Sequence, residues 1–193
     1  ALPRFRRRPS PSGPAGTSPN GRRIQPITTA RATALGTLAS RTTAMVGKYF
    51  GGSLPGDQAE DPEKDAPLLE LASSLRGRYE AQMERYQFQN ALEEIFKVVQ
   101  RANKYIDENA PWALAKDMEA NGPRLARVLY NLLEATRICG VLLTPFMPES
   151  MEKLFVQIGA GEDVRTGDRA AGWGSLSDGD AATKGAMRVP RGD

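Results

Sequence analysis

Residues 103–116 read NKYIDENAPWALAK, and the place where one helix ends inside this stretch decides the fold. Upstream of it Phe88, Ala91, Leu92, Ile95, Phe96, Val99, Ala102, Tyr105 and Ile106 recur at three- and four-residue steps. That spacing is the apolar face of a helix predicted from Gln87 to about Asn109. Pro111 has no N–H and pushes the residue before it out of helical geometry, so the helix stops near Asn109 or Ala110. Trp112 follows at once, on a corner. A ring at a helix end can plug a helical bundle, which local chemistry favours because aromatics dominate cores. It can also stack on a nucleotide base, flanked here by Asn103, Lys104 and Lys116.

The same periodicity recurs on both sides of this stretch. Leu35, Leu38, Ala39, Thr42, Met45, Val46 and Tyr49 form one face of a helix from Thr33 to Phe50, which Gly51-Gly52 ends. Thr37, Ser40, Arg41, Thr43 and Lys48 fall on its polar face, with Thr37 and Arg41 one turn apart. The connector 53–66 is rich in Pro, Gly and acids, and Asp65 can cap the next helix. This second helix is expected from Pro67 to Arg85, burying Leu68, Leu71, Ala72, Leu75, Tyr79 and Met83. After the Trp112 corner, Pro123 to Leu143 gives another helix with Leu125, Val128, Leu129, Leu132, Leu133, Thr136 and Cys139 inward. Arg137 lies beside that face and reads as a bridge between helices or toward another domain. Pro145 and Pro148 bracket a break, and Glu149 to Ile158 makes a short helix. No stretch alternates with period two. The expected fold is all-α: an antiparallel bundle of four long helices plus a short one.

Composition narrows the function. The chain has 193 residues, 26 basic and 23 acidic, with a net charge of +3 and no histidine. Histidine-based triads, histidine metal sites and the commonest general base are therefore excluded. A single cysteine, Cys139, excludes an internal disulfide and a structural zinc site, and its apolar surroundings place it in the core. No catalytic residue and no metal site is assigned. Residues 1–31 hold seven arginines and no acid, so the rest of the chain carries a net −4. Residues 1–30 are expected to be a disordered basic arm, 31–160 the bundle, and 161–193 an irregular tail that packs, if at all, through Trp173 and Val189. No apolar run is long enough to cross a bilayer. The start has no apolar h-region of a secretory signal, and a cytoplasmic location is expected.

Three strings carry a family resemblance: LGTLASRTTAMVGKYFGG, NKYIDENAPWALAK and RLARVLYNLLEATRICGVLLTPFMPESMEKLFVQIG. Together they resemble the anticodon-binding helical domain of methionyl-tRNA synthetases, class I enzymes, of the bacterial type. The resemblance covers about residues 34–191. It implies that the bundle reads the CAU anticodon of methionine tRNA. The family's stacking tryptophan matches Trp112, and its helix arginine, which contacts anticodon bases, matches Arg41. The asparagine that accompanies that arginine is replaced here by Thr37, whose hydroxyl lacks the paired donor and acceptor of an amide. Lys104 and Lys116 become possible phosphate contacts.

The resemblance also implies what this chain does not carry. The family's HIGH motif needs histidine, and no KMSKS-like string is present. ATP and methionine would bind a catalytic domain missing here, so the chain alone is expected to be inactive and to carry no cofactor. Residues 1–30 do not resemble the family. A truncated or frame-shifted gene product that joins the pattern near Ala34 accounts for this, and a stand-alone module is the alternative. The expected partners are methionine tRNA and a separate or missing catalytic domain, with neither membrane nor DNA. The competing reading is a helical RNA-binding or protein-interaction module without tRNA specificity.

Overall fold

Buried leucine and valine faces at helical spacing need other helices to cover them, and that is how the chain is assembled. The computed structural model describes residues 19–166 and 170–176, with side chains from residue 33 onward. Its helices are α1 (Pro19–Phe50), α2 (Pro62–Ser73), α3 (Leu75–Glu84), α4 (Phe88–Asn109), the single turn α5 (Pro111–Leu114), α6 (Met118–Leu143) and α7 (Pro148–Ile158). No strand occurs among the described residues. The helical bundle expected from periodicity is the fold.

Helix α6 is its axis. From Leu125 to Gly140 nearly every side chain is buried, including Asn131, Glu134 and Arg137. Helices α1, α2, α4, α5 and α7 all pack on it. A Cβ on Gly140 would lie 2.8 Å from Leu154 Cδ2, so glycine is what allows α7 to seat this closely.

Hydrogen bonds fix which ends meet. Ala59, in the loop after α1, donates its N–H to Pro123 O at 3.0 Å near the start of α6. Arg124 reaches both Asp65 on α2 and Asn109 at the end of α4. The start of α2, the end of α4 and the start of α6 therefore meet at one end of the bundle, so α4 and α6 run in opposite directions.

Several boundaries differ from expectation. Helix α1 begins at Pro19 rather than Thr33, so the backbone of 19–30 is helical where disorder is expected. Proline is well placed at a first helical position, and each residue added to a nucleated helix costs little. Residues 1–18 lie outside the described residues. The second expected helix is two, α2 and α3, divided at Ser74. There the Ser74 hydroxyl donates to Glu70 O at 2.6 Å and accepts from Arg78, competing with the helical ladder. It also begins earlier, at Pro62. Asp61 rather than Asp65 is the cap, accepting from Lys64 N–H at 3.3 Å. Asp65 reaches back instead to Asp61 N–H at 3.1 Å. Helix α6 starts at Met118, five residues before Pro123, because Asp117 caps it through Ala120 N–H at 3.1 Å.

The tail packs on α6. Ala170, Ala171 and Leu176 are buried and Trp173 is half-buried against the core. Val189 lies outside the described residues.

Candidate functional site

The Trp112 corner is built from a strained turn and a buried anchor. Helix α4 ends at Asn109, and Ala110 takes the left-handed conformation at φ 42°, ψ 64°. This is a costly geometry for a residue with a Cβ. Ala110 N–H closes the helix on Ile106 O at 2.9 Å. Ala110 O then accepts from Ala113 N–H at 2.7 Å and starts α5. Pro111 is buried, and Leu114 and Ala115 pack against the core. Trp112 is left pointing outward, 50% exposed. It is not a plug. The apolar contacts that close this end come from Pro111 and Leu114, so the local preference for a buried ring is overturned.

Thr37 and Arg41 are both exposed on α1, one turn apart, as the spacing requires. Thr37 Oγ1 donates to Thr33 O at 2.8 Å, which commits its one proton to its own helix. Arg41 makes no hydrogen bond or ion pair among the described residues, and its guanidinium faces solvent. Between α1 and α4 runs a groove of about 380 Å³, lined by Ala34, Phe96, Lys97, Val99, Gln100 and Asn103, with Glu93 at its side. Arg41 is seven residues beyond Ala34, and so about 10 Å further along α1 at 1.5 Å per residue. Asn109 is ten residues beyond Val99, about 15 Å along α4. No hydrogen bond, ion pair or ring contact joins Thr37 or Arg41 to Trp112 among the described residues, and the three lie on two elements, α1 and the α5 turn.

The two lysines differ. Lys104 is exposed but stands 3.7 Å from Glu108, which Arg101 also holds at 2.7 Å. The neighbouring cations hold the Glu108 carboxyl below the usual range, chiefly through the Arg101 hydrogen bond. Lys116 is exposed, and no carboxylate pairs with it among the described residues. Of the two, Lys116 is the freer cation.

Beneath the corner is a polar network that periodicity does not reveal. Asp65, buried, accepts from Arg124 Nη1 at 2.8 Å and Nη2 at 2.7 Å, and from Tyr105 Oη at 2.5 Å. Burial alone would raise the Asp65 pKa, but hydrogen bonds from Arg124, Tyr105 and Asp61 outweigh it and hold the carboxyl below its usual value. The Tyr105 hydroxyl is pushed far up by burial and by the carboxylate it donates to. Asn131 Nδ2 donates to Tyr105 Oη at 3.0 Å. A second buried set lies on α6, where Arg137 and Glu134 pair at 2.7 Å. Arg137 is a bridge, as expected, but it reaches the tail of this same chain. An acid–base pair three residues apart within an apolar run is the one local signal that could have found Glu134. Among the described residues no three His, Cys, Asp or Glu side chains gather as metal ligands, and no helix is long and apolar enough to cross a membrane.

A model of the anticodon binding domain of methionyl tRNA ligase matches residues 54–188. Methionine–tRNA ligase of Caldanaerobacter subterraneus subsp. tengcongensis is 43% identical over 193 residues, which is all of this chain and 30% of that protein. The corresponding ligase of Clostridium tetani is 41% identical over 183 residues, 95% of this chain and 28% of that one. Among solved structures, Mycobacterium tuberculosis methionyl-tRNA synthetase bound by methionyl-adenylate superposes with a TM-score of 0.73 at 34% identity, over 83% of this chain and 32% of that one. The chain spans about 30% of the length of such curated relatives. The Caldanaerobacter match runs through Ala34 and takes in residues 1–30 as well. The likeness is therefore longer than the motifs indicate, and no junction near Ala34 is needed to explain it.

Proposed function

This chain belongs to the family of anticodon-binding domains of methionyl-tRNA ligase, and we propose that its bundle recognises the CAU anticodon of methionine tRNA. Trp112 stacks on an anticodon base, an interaction that contributes roughly 1–3 kcal/mol and needs only an accessible ring face. Arg41 hydrogen-bonds a base edge and attracts the neighbouring phosphate. Thr37 stands beside it on the same face and offers an acceptor only. Lys116 contacts phosphate; Lys104 does so after leaving Glu108. Methionyl-tRNA synthesis, with its ATP and methionine, belongs to a catalytic domain acting with this bundle, in the cytoplasm. The chain supplies recognition, and no cofactor binds it.

The observation that carries this proposal is Trp112 itself. A large ring half open to solvent, on a turn whose Pro111 is buried and whose Leu114 is partly buried against the core, gains little for the fold by pointing outward. The test is binding of the purified chain to a methionine anticodon stem-loop and to one with the anticodon scrambled, at two salt concentrations. A preference for CAU that persists at higher salt and falls with Trp112→Ala is expected. Equal binding to both loops that vanishes with salt would reduce the interaction to phosphate attraction and overturn the proposal.

A further inference from the structure

The Trp112 ring makes no hydrogen bond and no ring contact of its own among the described residues, so its direction is inherited from the backbone that carries it. That backbone is a poor candidate for rigidity. Ala110 occupies left-handed space without being glycine, and α5 is a single turn. A short strained turn keeps one geometry only when its surroundings over-determine it.

The surroundings converge on Asn109, three residues before Trp112. Its Nδ2 donates to Tyr105 O at 2.9 Å, bonding back one turn along α4 and fixing the side chain against its own helix. Its Oδ1 accepts from Arg124 Nη2 at 2.6 Å. Arg124, on α6, is in turn forked onto Asp65 of α2, and its Nη1 also reaches Ala59 O at 3.4 Å. Tyr105, on α4, donates to the same carboxylate. Residues from α2, α4 and α6 are thus tied together at the point where the strained turn begins. Asp65, Tyr105 and Asn109 are buried and Arg124 is nearly so, where charge-assisted hydrogen bonds of this kind are strongest.

We infer that Asn109, Arg124 and Asp65 are positioning residues for Trp112: they hold the Ala110 turn so that the ring is already oriented when a base arrives. Neither Arg124 nor Asp65 needs to touch RNA. This inference rests on the anticodon reading above, because pre-orientation matters only if the ring is the contact.

The experiment is a double-mutant cycle on stem-loop affinity, combining Asn109→Ala and Arg124→Lys separately with Trp112→Ala. A second readout is the fluorescence anisotropy decay of Trp112 in a Trp173→Phe chain. Asn109→Ala should weaken binding about tenfold alone and add nothing once Trp112 is gone, since coupled residues are non-additive. It should also speed the local rotation of the Trp112 ring. Arg124→Lys, which keeps the charge and loses the fork, should do the same to a lesser degree. If Asn109→Ala proves unfolded, Arg124→Lys carries the test. Losses that simply add to that of Trp112→Ala, or an unchanged anisotropy decay, would overturn the positioning role while leaving the anticodon reading intact. No effect of Trp112→Ala by itself would overturn that reading, and the inference with it.

Discussion

Arg137 and Glu134 stand one turn apart on α6, both wholly buried, with Arg137 Nη2 2.7 Å from Glu134 Oε1. Between them they hold the tail. Arg137 donates to the carbonyls of Val164 and Gly172, each at 2.6 Å, and to that of Ala170. Glu134 accepts from Ser175 N–H at 2.9 Å and Leu176 N–H at 3.4 Å. Tyr130 adds a hydroxyl bond to Leu176 O at 2.9 Å. A buried ion pair costs desolvation, and here tail backbone supplies the further partners that such a pair needs. Arg137→Met should therefore cost roughly 3–5 kcal/mol, because it strands a buried carboxylate. The double change Arg137→Met, Glu134→Leu should cost less than either single one. Urea unfolding of the three variants, with limited proteolysis of residues 164–176, measures both points. A single variant as stable as the parent would show that the tail is held by its apolar residues alone.

The Asp65 network predicts an acid limb of stability. Burial works against the Asp65 charge, but Arg124, Tyr105 and Asp61 N–H together keep its pKa below the ordinary 3.8. The folded protein then binds that proton more weakly than the unfolded chain does. The unfolded state gains protons first as pH falls, so this stabilisation is complete above the unfolded value and is lost as pH drops through the folded one. Asp65→Asn should cost on the order of 2 kcal/mol at neutral pH and flatten the decline of stability below about pH 5. An unchanged slope in denaturant titrations at acid pH would remove Asp65 as its source.

Cys139 should be inert. It is wholly buried on α6 with Sγ 3.8 Å from Ile95 O, and burial pushes its pKa up to about 12. At neutral pH almost no thiolate exists to react. Iodoacetamide should leave the folded chain unlabelled under conditions that fully label it in urea. Stoichiometric labelling without denaturant would mean that α6 opens locally far more often than its packing implies.

Features of the fold were legible in the sequence to the extent that their signals are local. The end of α4, the Trp112 corner and the buried faces of α1, α4 and α6 depend on spacing and on Pro111, which are local. Phe88 fits the face of α4 by spacing yet is 46% exposed, because it is the first residue of the helix and overhangs its end. The break at Ser74 carries no Gly or Pro to announce it. Pro62 and Asp61 do form a start signal, hidden inside a connector rich in acids. The network under Trp112 joins Asp65 to Arg124 and Tyr105 to Asn131, pairs distant in the chain that only the packing of α2, α4 and α6 brings together. Whether Trp112 was plug or platform depended on which neighbours filled the bundle end. Pro111 and Leu114 do so, and no periodicity argument could have said it.

Thr37 stands where the resemblance places the family's asparagine, and its geometry turns that difference into a prediction. The hydroxyl donates to Thr33 O at 2.8 Å along its own helix, leaving lone pairs but no proton for a base. An asparagine at this exposed position would offer both an acceptor and an NH₂ group beside Arg41. Reading a base edge through paired donor and acceptor contributes about 1–3 kcal/mol of discrimination in comparable bidentate contacts. Thr37→Asn should therefore raise the preference for a CAU stem-loop over a scrambled one about tenfold, within that range. Salt dependence should not change, since no charge is added. Paired binding titrations on the two stem-loops, with Arg41→Ala as the comparison, decide it. If Thr37→Asn tightens both loops equally, or neither, α1 does not present this face to the anticodon, and recognition would have to be carried by Trp112 without help from position 37.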